Sequence, residues 1–307
     1  MWRVGLAAVA GAPTGRLVSL LVLCLLVSCA EDVTGPAKVQ QRDPPAQKVI
    51  SLSPHLAELV FASGAGQKLV GAVDYSDYPE AARFVPRIGD SFRLDYEAIA
   101  ALQPDLILAW QGGNPADMIQ RLRSLGYRVM SLEATSLESI GQDLRRIGDA
   151  LGTADTADQI ADEYERELMS LREKYAGSAP VRVFYQVSWA PLFTISGRHV
   201  IGQAIELCGG RNVFAAMQTL SPAVSLEAVL DANPEAIVAS DFGAGRADSG
   251  TGLSGWSAWQ HLAAVQRGNL YFVDADYMVR PGIRIIEGVR QMCDRLDRAR
   301  SRIELAS

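Results

Sequence analysis

Histidine and cysteine are scarce in this chain, with three and four copies among 307 residues. His55, His199 and His261 lie in neighbourhoods that share no ligand spacing, which argues against a histidine-based metal site. His55 stands at a predicted helix start, just after Ser53-Pro54, where a capping or solvent-facing role is expected and a place facing a cleft is the alternative. Catalytic signatures are missing too. There is no His-Glu-x-x-His, no phosphate-binding glycine loop with Lys-Ser/Thr, and Gly252-Leu253-Ser254-Gly255-Trp256 fails the nucleophile-elbow pattern at its last position. No catalytic residue and no metal ligand is assigned. No long lysine or arginine block occurs and the formal charge is −6, so the basic surface that nucleic-acid phosphates demand is absent.

The longest apolar run is short. Leu17 to Val27 is 11 residues, preceded by Arg3 and Arg16, too short to span a bilayer and suited to a secretion signal. It ends in Leu26-Val27-Ser28-Cys29, similar to a bacterial lipobox, so residues 1–28 read as a lipoprotein signal and Cys29 as the lipidated residue. An ordinary signal peptide that happens to contain Cys29 is the alternative. Its removal takes away two arginines and no acid, leaving a more acidic remainder. Residues 29–47, with Gly35, Pro36, Pro44 and Pro45 among polar neighbours, read as a flexible tether.

Cys24 leaves with the signal, so Cys208 and Cys293 are the two cysteines of the globular part. Export to an oxidising compartment allows a disulfide between them, contributing roughly 4 kcal/mol for a loop of this length. Two buried thiols are the alternative.

What is present, at 49% apolar and 21% charged residues, is a globular composition long enough for two cores. One motif occurs twice. Glu97-Ala98-Ile99, four residues and Pro104-Asp105-Leu106-Ile107-Leu108-Ala109 recur 130 positions later as Glu227-Ala228-Val229, four residues and Pro234-Glu235-Ala236-Ile237-Val238-Ala239. Each copy reads as a short helix, capped by Asp95 or Ser225, ended by an X-Pro step and followed by an apolar strand. Two similar α/β units follow, with Glu97 and Glu227 in equivalent places.

Strand and helix signals alternate through the first half. Val49 to Leu52, Leu69 to Val73, Leu106 to Ala109 and Tyr127 to Leu132 read as strands, which predicts a mostly parallel sheet flanked by helices. From Thr153 to Tyr175, Ile160, Tyr164, Leu168, Leu171 and Tyr175 repeat at helical spacing, predicting a helix roughly 35 Å long. Strand and helix signals then resume at Val181. The expected organisation is an α/β lobe over residues 48–152, a connecting helix over 153–179 and a second α/β lobe over 180–307. Both lobes are Rossmann-like, with ligand in the cleft between them. A helical connector resists large hinge closure. The glycine-rich stretch from Ser249 to Gly255 reads as a mobile surface loop.

Aromatic residues cluster just beyond the strands. Tyr75 and Tyr78 follow the second strand, Trp110 the third and Trp189 the first strand of the second lobe; Phe92 lies ahead of the first repeat. Open α/β sheets bind ligands beyond the carboxyl ends of their strands, so rings there suit a large flat or apolar ligand. Asp276 and Arg280 supply polar contacts from the second lobe or form a local ion pair.

These residues carry a resemblance. Val49-Ile50-Ser51-Leu52-Ser53-Pro54, Tyr75-Ser76-Asp77-Tyr78-Pro79, Trp110-Gln111-Gly112-Gly113-Asn114 and Leu207-Cys208-Gly209-Gly210-Arg211-Asn212-Val213-Phe214 are similar to segments of ABC-importer substrate-binding proteins with a helical backbone, closest to the cobalamin-binding group. The resemblance runs from about Lys48 to the C-terminus. It implies a monomeric periplasmic protein, tethered to a membrane by lipid, that carries cobalamin or a related corrinoid as cargo and uses no catalytic cofactor. It further implies ligand contacts from Tyr75, Trp110, Asp276 and Arg280, to which Phe92 and Trp189 are added as candidates from their places in the chain, a Cys208–Cys293 disulfide, and docking of Glu97 and Glu227 on the permease dimer of an importer with its ATPase subunits. This chain has serine near position 91 and at Ser221 where the family can carry tryptophan; Phe92 and Trp189 stand close by. A haem- or ferric-siderophore-binding protein of the same class is the first alternative, an envelope lipoprotein enzyme the second.

Overall fold

The strands Val49–Ser51 (β1), Leu69–Ala72 (β2), Leu106–Trp110 (β3) and Val129–Leu132 (β4) form one sheet in the order β2-β1-β3-β4. The strands Val181–Gln186 (β5), Gly210–Asn212 (β6), Ala236–Asp241 (β7) and Leu270–Asp274 (β8) form a second, ordered β6-β5-β7-β8. Every pairing between these strands is parallel and the two orders are the same once the strands of each sheet are renumbered. This computed structural model describes residues 44–242 and 252–305; the expected signal over 1–28, Cys29 and most of the tether lie outside them.

Ten α-helices cover the sheets among the described residues. The first lobe carries Pro54–Ala62 (α1), Tyr96–Leu102 (α2), Ala116–Ser124 (α3) and Leu137–Leu151 (α4), with Ala154–Tyr175 (α5) running between the lobes. The second carries Val200–Leu207 (α6), Leu226–Ala232 (α7), Ala263–Gln266 (α8), Ala275–Met278 (α9) and Ile285–Glu304 (α10). Side chains alternate across each strand, and the alternation divides the core. Leu106 and Leu108 join a core shared with α1, α4, α5 and the second lobe, whereas Ile107 and Ala109 pack beneath α2 and α3. Phe184, Ile237 and Ala239 do the same on the outer face of the second sheet, under α7.

The connecting helix does not stand alone. α4, which the strand-and-helix alternation did not single out, pairs with α5 as a helical hairpin. Ser136 and Ser139 form its capping box, Gly152 ends it at φ +72°, and Gly148 lets the helices approach so closely that a Cβ there would lie 2.3 Å from that of Ala157. One continuous core reaches from Val49 through Tyr164 and Leu168 of α5 to Val289 of α10.

The repeated motif folds as the same device twice. Asp95 Oδ1 accepts from the amides of Glu97 and Ala98, and Ser225 Oγ from that of Ala228. The residues before the two prolines, Gln103 and Asn233, are left-handed at φ 50° and 40° rather than extended, so each helix ends on a left-handed cap directly before its proline. The acid after each proline has a matched task. Asp105 accepts from the amides of Gln47 and Lys48 ahead of β1, and Glu235 accepts from the amide of Arg182 at the start of β5.

Two expectations need correction. The tether was expected to reach residue 47, but Ala46 is buried and its amide bonds to Ala150 O, because the chain must pass α4 to enter β1. In the glycine-rich stretch, residues 249–251 lie outside the described ones. Leu253 is buried in the second lobe at the start of a 3-10 turn that also buries Trp256, so this end of the stretch belongs to the core.

Candidate functional site

The loop after β3 is built around Asn114. Its Oδ1 accepts from the amide of Trp110 at 2.7 Å, while its Nδ2 donates to Leu52 O and Ser91 O at 3.0 Å each, tying the strand ends of β1 and β3 to the loop before α2. Gly112 takes φ +90°, and a Cβ on Gly113 would fall 1.9 Å from the Trp110 ring. The Trp-x-Gly-Gly-Asn segment therefore exists to lay the indole against the backbone.

Behind the indole lies His55. Its ring meets Trp110 edge-on at 5.0 Å, and Ser53 Oγ sits 2.5 Å from its Nδ1. The solvent-facing role expected for His55 is wrong: the residue is buried on α1, and burial, aided by the charge of Arg280, lowers its pKa to about 3. It is a neutral packing group at ordinary pH.

A cavity of about 520 Å³ opens between the lobes beside Trp110. Gln111, Glu133 and Thr135 line it from the first lobe; Arg198, His199, Gln203, Leu220, Met278 and Pro281 line it from the second. His199 caps α6 through Nδ1, which accepts from the amide of Ile201, and burial lowers its pKa to about 4. Gln203 spans the lobes, accepting from the Leu137 amide and donating to Thr135 O. The lining thus carries one acid, one arginine, amides and apolar groups. That mixture suits an uncharged ligand with many amide partners better than a multiply charged anion.

Of the residues expected to contact ligand, Trp110 alone lines this cavity. Tyr75 projects from the loop after β2, 63% exposed and left-handed at φ 64°. Phe92 is 73% exposed and borders a shallow groove with Tyr96 and Arg121 instead. Trp189 packs edge-on against Trp256 at 5.2 Å and beside Trp259 at 6.0 Å, within the aromatic cluster of the second lobe. Asp276 and Arg280 form an ion pair at 3.1 Å, and Arg280 also reaches Asp77 at 2.7 Å and Glu58 at 3.2 Å across the lobes. Burial works against the charge of Arg280, but Asp77, Asp276 and Glu58 outweigh it and raise its pKa. Glu97 and Glu227 are exposed in the first turns of α2 and α7, and the Glu227 backbone amide, with Ser225, holds the Glu227 carboxyl below its usual range. Cys208, after α6, forms a disulfide with Cys293 of α10.

Among the described residues no group of three or more His, Cys, Asp or Glu is placed to hold a metal, and no helix is long and apolar enough to cross a membrane. Residues 49–277 match the periplasmic binding protein family. The chain belongs to that family. It is 34% identical over 250 residues to the vitamin B12-binding protein of Vibrio cholerae, covering 81% of this chain and 88% of the relative. The crystal structure of the periplasmic vitamin B12 binding protein of Vibrio cholerae superposes with a TM-score of 0.76 at 35% identity, covering 83% of this chain and 98% of that one. The apo haem-binding protein RhuT from Roseiflexus superposes with a TM-score of 0.72 at 22% identity over 83% of this chain and 99% of that one, a likeness of fold alone.

For a periplasmic binding protein, the residues that sequence reasoning missed are those joining the lobes. Glu58 was hidden in the apolar run of α1, where a lone carboxylate on a buried face was the available signal. Arg284 and Gln203 gave none, since their partners lie 226 and 66 residues away in sequence.

Proposed function

We propose that this protein binds a corrinoid, cobalamin or a near relative, in the cell envelope and hands it to an ABC importer. The observation that carries the reading is the inter-lobe cavity walled by Trp110 in a chain whose 34–35% identical relatives are vitamin B12-binding proteins. Corrin is broad, partly apolar and rimmed with amides. An indole supplies a flat contact, and Gln111, Gln203 and Gln218 supply amide partners around it. The ligand is cargo, bound without turnover, and its cobalt takes no ligand from the chain.

Tyr75, Asp276 and Arg280 remain the further contacts we assign to the corrinoid, with Phe92 and Trp189 reaching it only after rearrangement of their loops. Glu97 and Glu227, exposed at matched places on two lobes, are assigned to docking on the permease dimer and its ATPase subunits. In the same reading residues 1–28 are a lipoprotein signal, Cys29 carries lipid, residues 29–45 tether the protein to a membrane, and the carrier works as a monomer in the periplasm. The lobes span 46–152 and 180–307, joined by 153–179.

Haem and the catecholate ferric siderophores fit the lining less well. Both bring several negative charges, and the cavity offers Arg198 against Glu133. Titration of the protein with cyanocobalamin and with haemin, followed by absorption spectra, tests the reading. Tight binding of cyanocobalamin alone is expected, and failure to bind any corrinoid would sink it.

A further inference from the structure

Five charged side chains meet where the second lobe crosses α1. Glu58 and Asp77 come from the first lobe; Asp276, Arg280 and Arg284 come from the second. Their energies are unequal. Asp77 and Asp276 keep 43% and 57% of their side chains exposed, so their hold on Arg280 is screened and exchangeable. Glu58 is 3% exposed, and Arg284 grips it as a fork: Nε donates to Oε2 at 2.8 Å and Nη2 to Oε1 at 2.6 Å. Cζ of the same guanidinium lies over the Tyr78 ring, 3.7 Å from its centre, and Tyr78 also belongs to the first lobe.

Arg284 is thus held by the first lobe through two contacts, the Glu58 carboxylate on its Nε and Nη2 and the Tyr78 ring under its Cζ. A rotation of the lobes that pulls Arg284 away strands a carboxylate deprived of water. Four residues before Arg284 the chain passes Arg280, whose neighbours Met278, Val279 and Pro281 line the inter-lobe cavity. We infer that the Glu58–Arg284 fork is a fixed pin between the lobes, which positions the segment 278–281 as one part of the second-lobe wall of the cavity, with Arg280 as a weaker second tie. Glu58 and Arg284 act as positioning residues. The pin stands on this geometry, whichever ligand fills the cavity.

Hydrogen–deuterium exchange of the ligand-free full-length protein reads the pin directly. The amides of Val279, Gly282 and Ile285 are bonded within the segment to Ala275 O, Arg280 O and Gly282 O. In the doubly neutral variant Glu58→Gln/Arg284→Gln, which strands no buried charge, these amides should exchange about tenfold faster or more while β7 keeps its native rate. Arg284→Lys keeps the charge, loses the fork and should also exchange faster; it carries the test if the double variant does not fold. Native exchange over 278–285 in either folded variant would overturn the pin. Cyanocobalamin titration of the unaltered protein is a separate measurement, so a failed corrinoid reading leaves the exchange result standing.

Discussion

The indole of Trp110 stands edge-on to the imidazole of His55, at 87° and 5.0 Å between ring centres. The cavity therefore has an aromatic wall backed by a neutral, buried ring rather than by water. Truncating that wall removes both the flat surface and the cover over His55. Trp110→Ala is expected to weaken cyanocobalamin binding about ten- to hundredfold, as loss of a central aromatic anchor does. An unchanged Kd in equilibrium titration would take Trp110 out of the site.

Two histidines, buried His55 and half-buried His199, set a direction for acid stability. Their folded pKa values are lowered to about 3 for His55 and about 4 for His199, against 6.5 for the ordinary group. Between those values the unfolded chain binds more protons than the native one, so stability falls as pH drops below about 6.5. Asp143 opposes this in part, since burial raises its pKa to about 6 and the native state takes up its proton first. His199→Asn retains a cap for α6 and removes one titrating group. Its urea midpoint should fall less than the native one between pH 7 and pH 5, and identical shifts would contradict the assignment.

The disulfide closes a long loop in the second lobe, 85 residues apart in sequence, and both sulfurs are buried. It ties the end of α6 to α10, whose apolar side belongs to the core shared by both lobes. Replacing the pair as Cys208→Ala/Cys293→Ala is expected to cost about 2–5 kcal/mol. Denaturant unfolding of the variant, compared with the native protein under oxidising conditions, measures it. A midpoint that does not move would leave the bridge without a stabilising role.

The fold was largely legible because its signals are local. Proline 104 and proline 234 each follow a short amphipathic helix and precede an apolar strand, and that pattern suffices to announce two parallel units. The site was legible only where a backbone constraint leaves its mark in neighbouring residues. Trp110 announces itself through Gly112, Gly113 and Asn114, each required by the loop that holds it. Trp189 follows a strand just as Trp110 does, yet it packs on Trp256 from 67 residues further on, and nothing near position 189 records that. Glu58 with Arg284 is the extreme case: the meaning of each residue lies wholly in the other.

Glu97 and Glu227 carry the last prediction. Both open short helices, and a carboxylate there is stabilising in its own right because it faces the positive end of the helix dipole. A purely local role predicts that the residues matter independently and only for stability. A docking role predicts that they matter together and only when a two-fold transporter is present, because each lobe meets its own copy of the same membrane subunit. The two accounts part in one experiment. Glu97→Ala/Glu227→Ala should bind cyanocobalamin with native affinity, since neither residue lines the cavity, and should lose most corrinoid uptake in cells that depend on the importer. Uptake at the native rate would leave the glutamates as helix-start residues and remove the docking role.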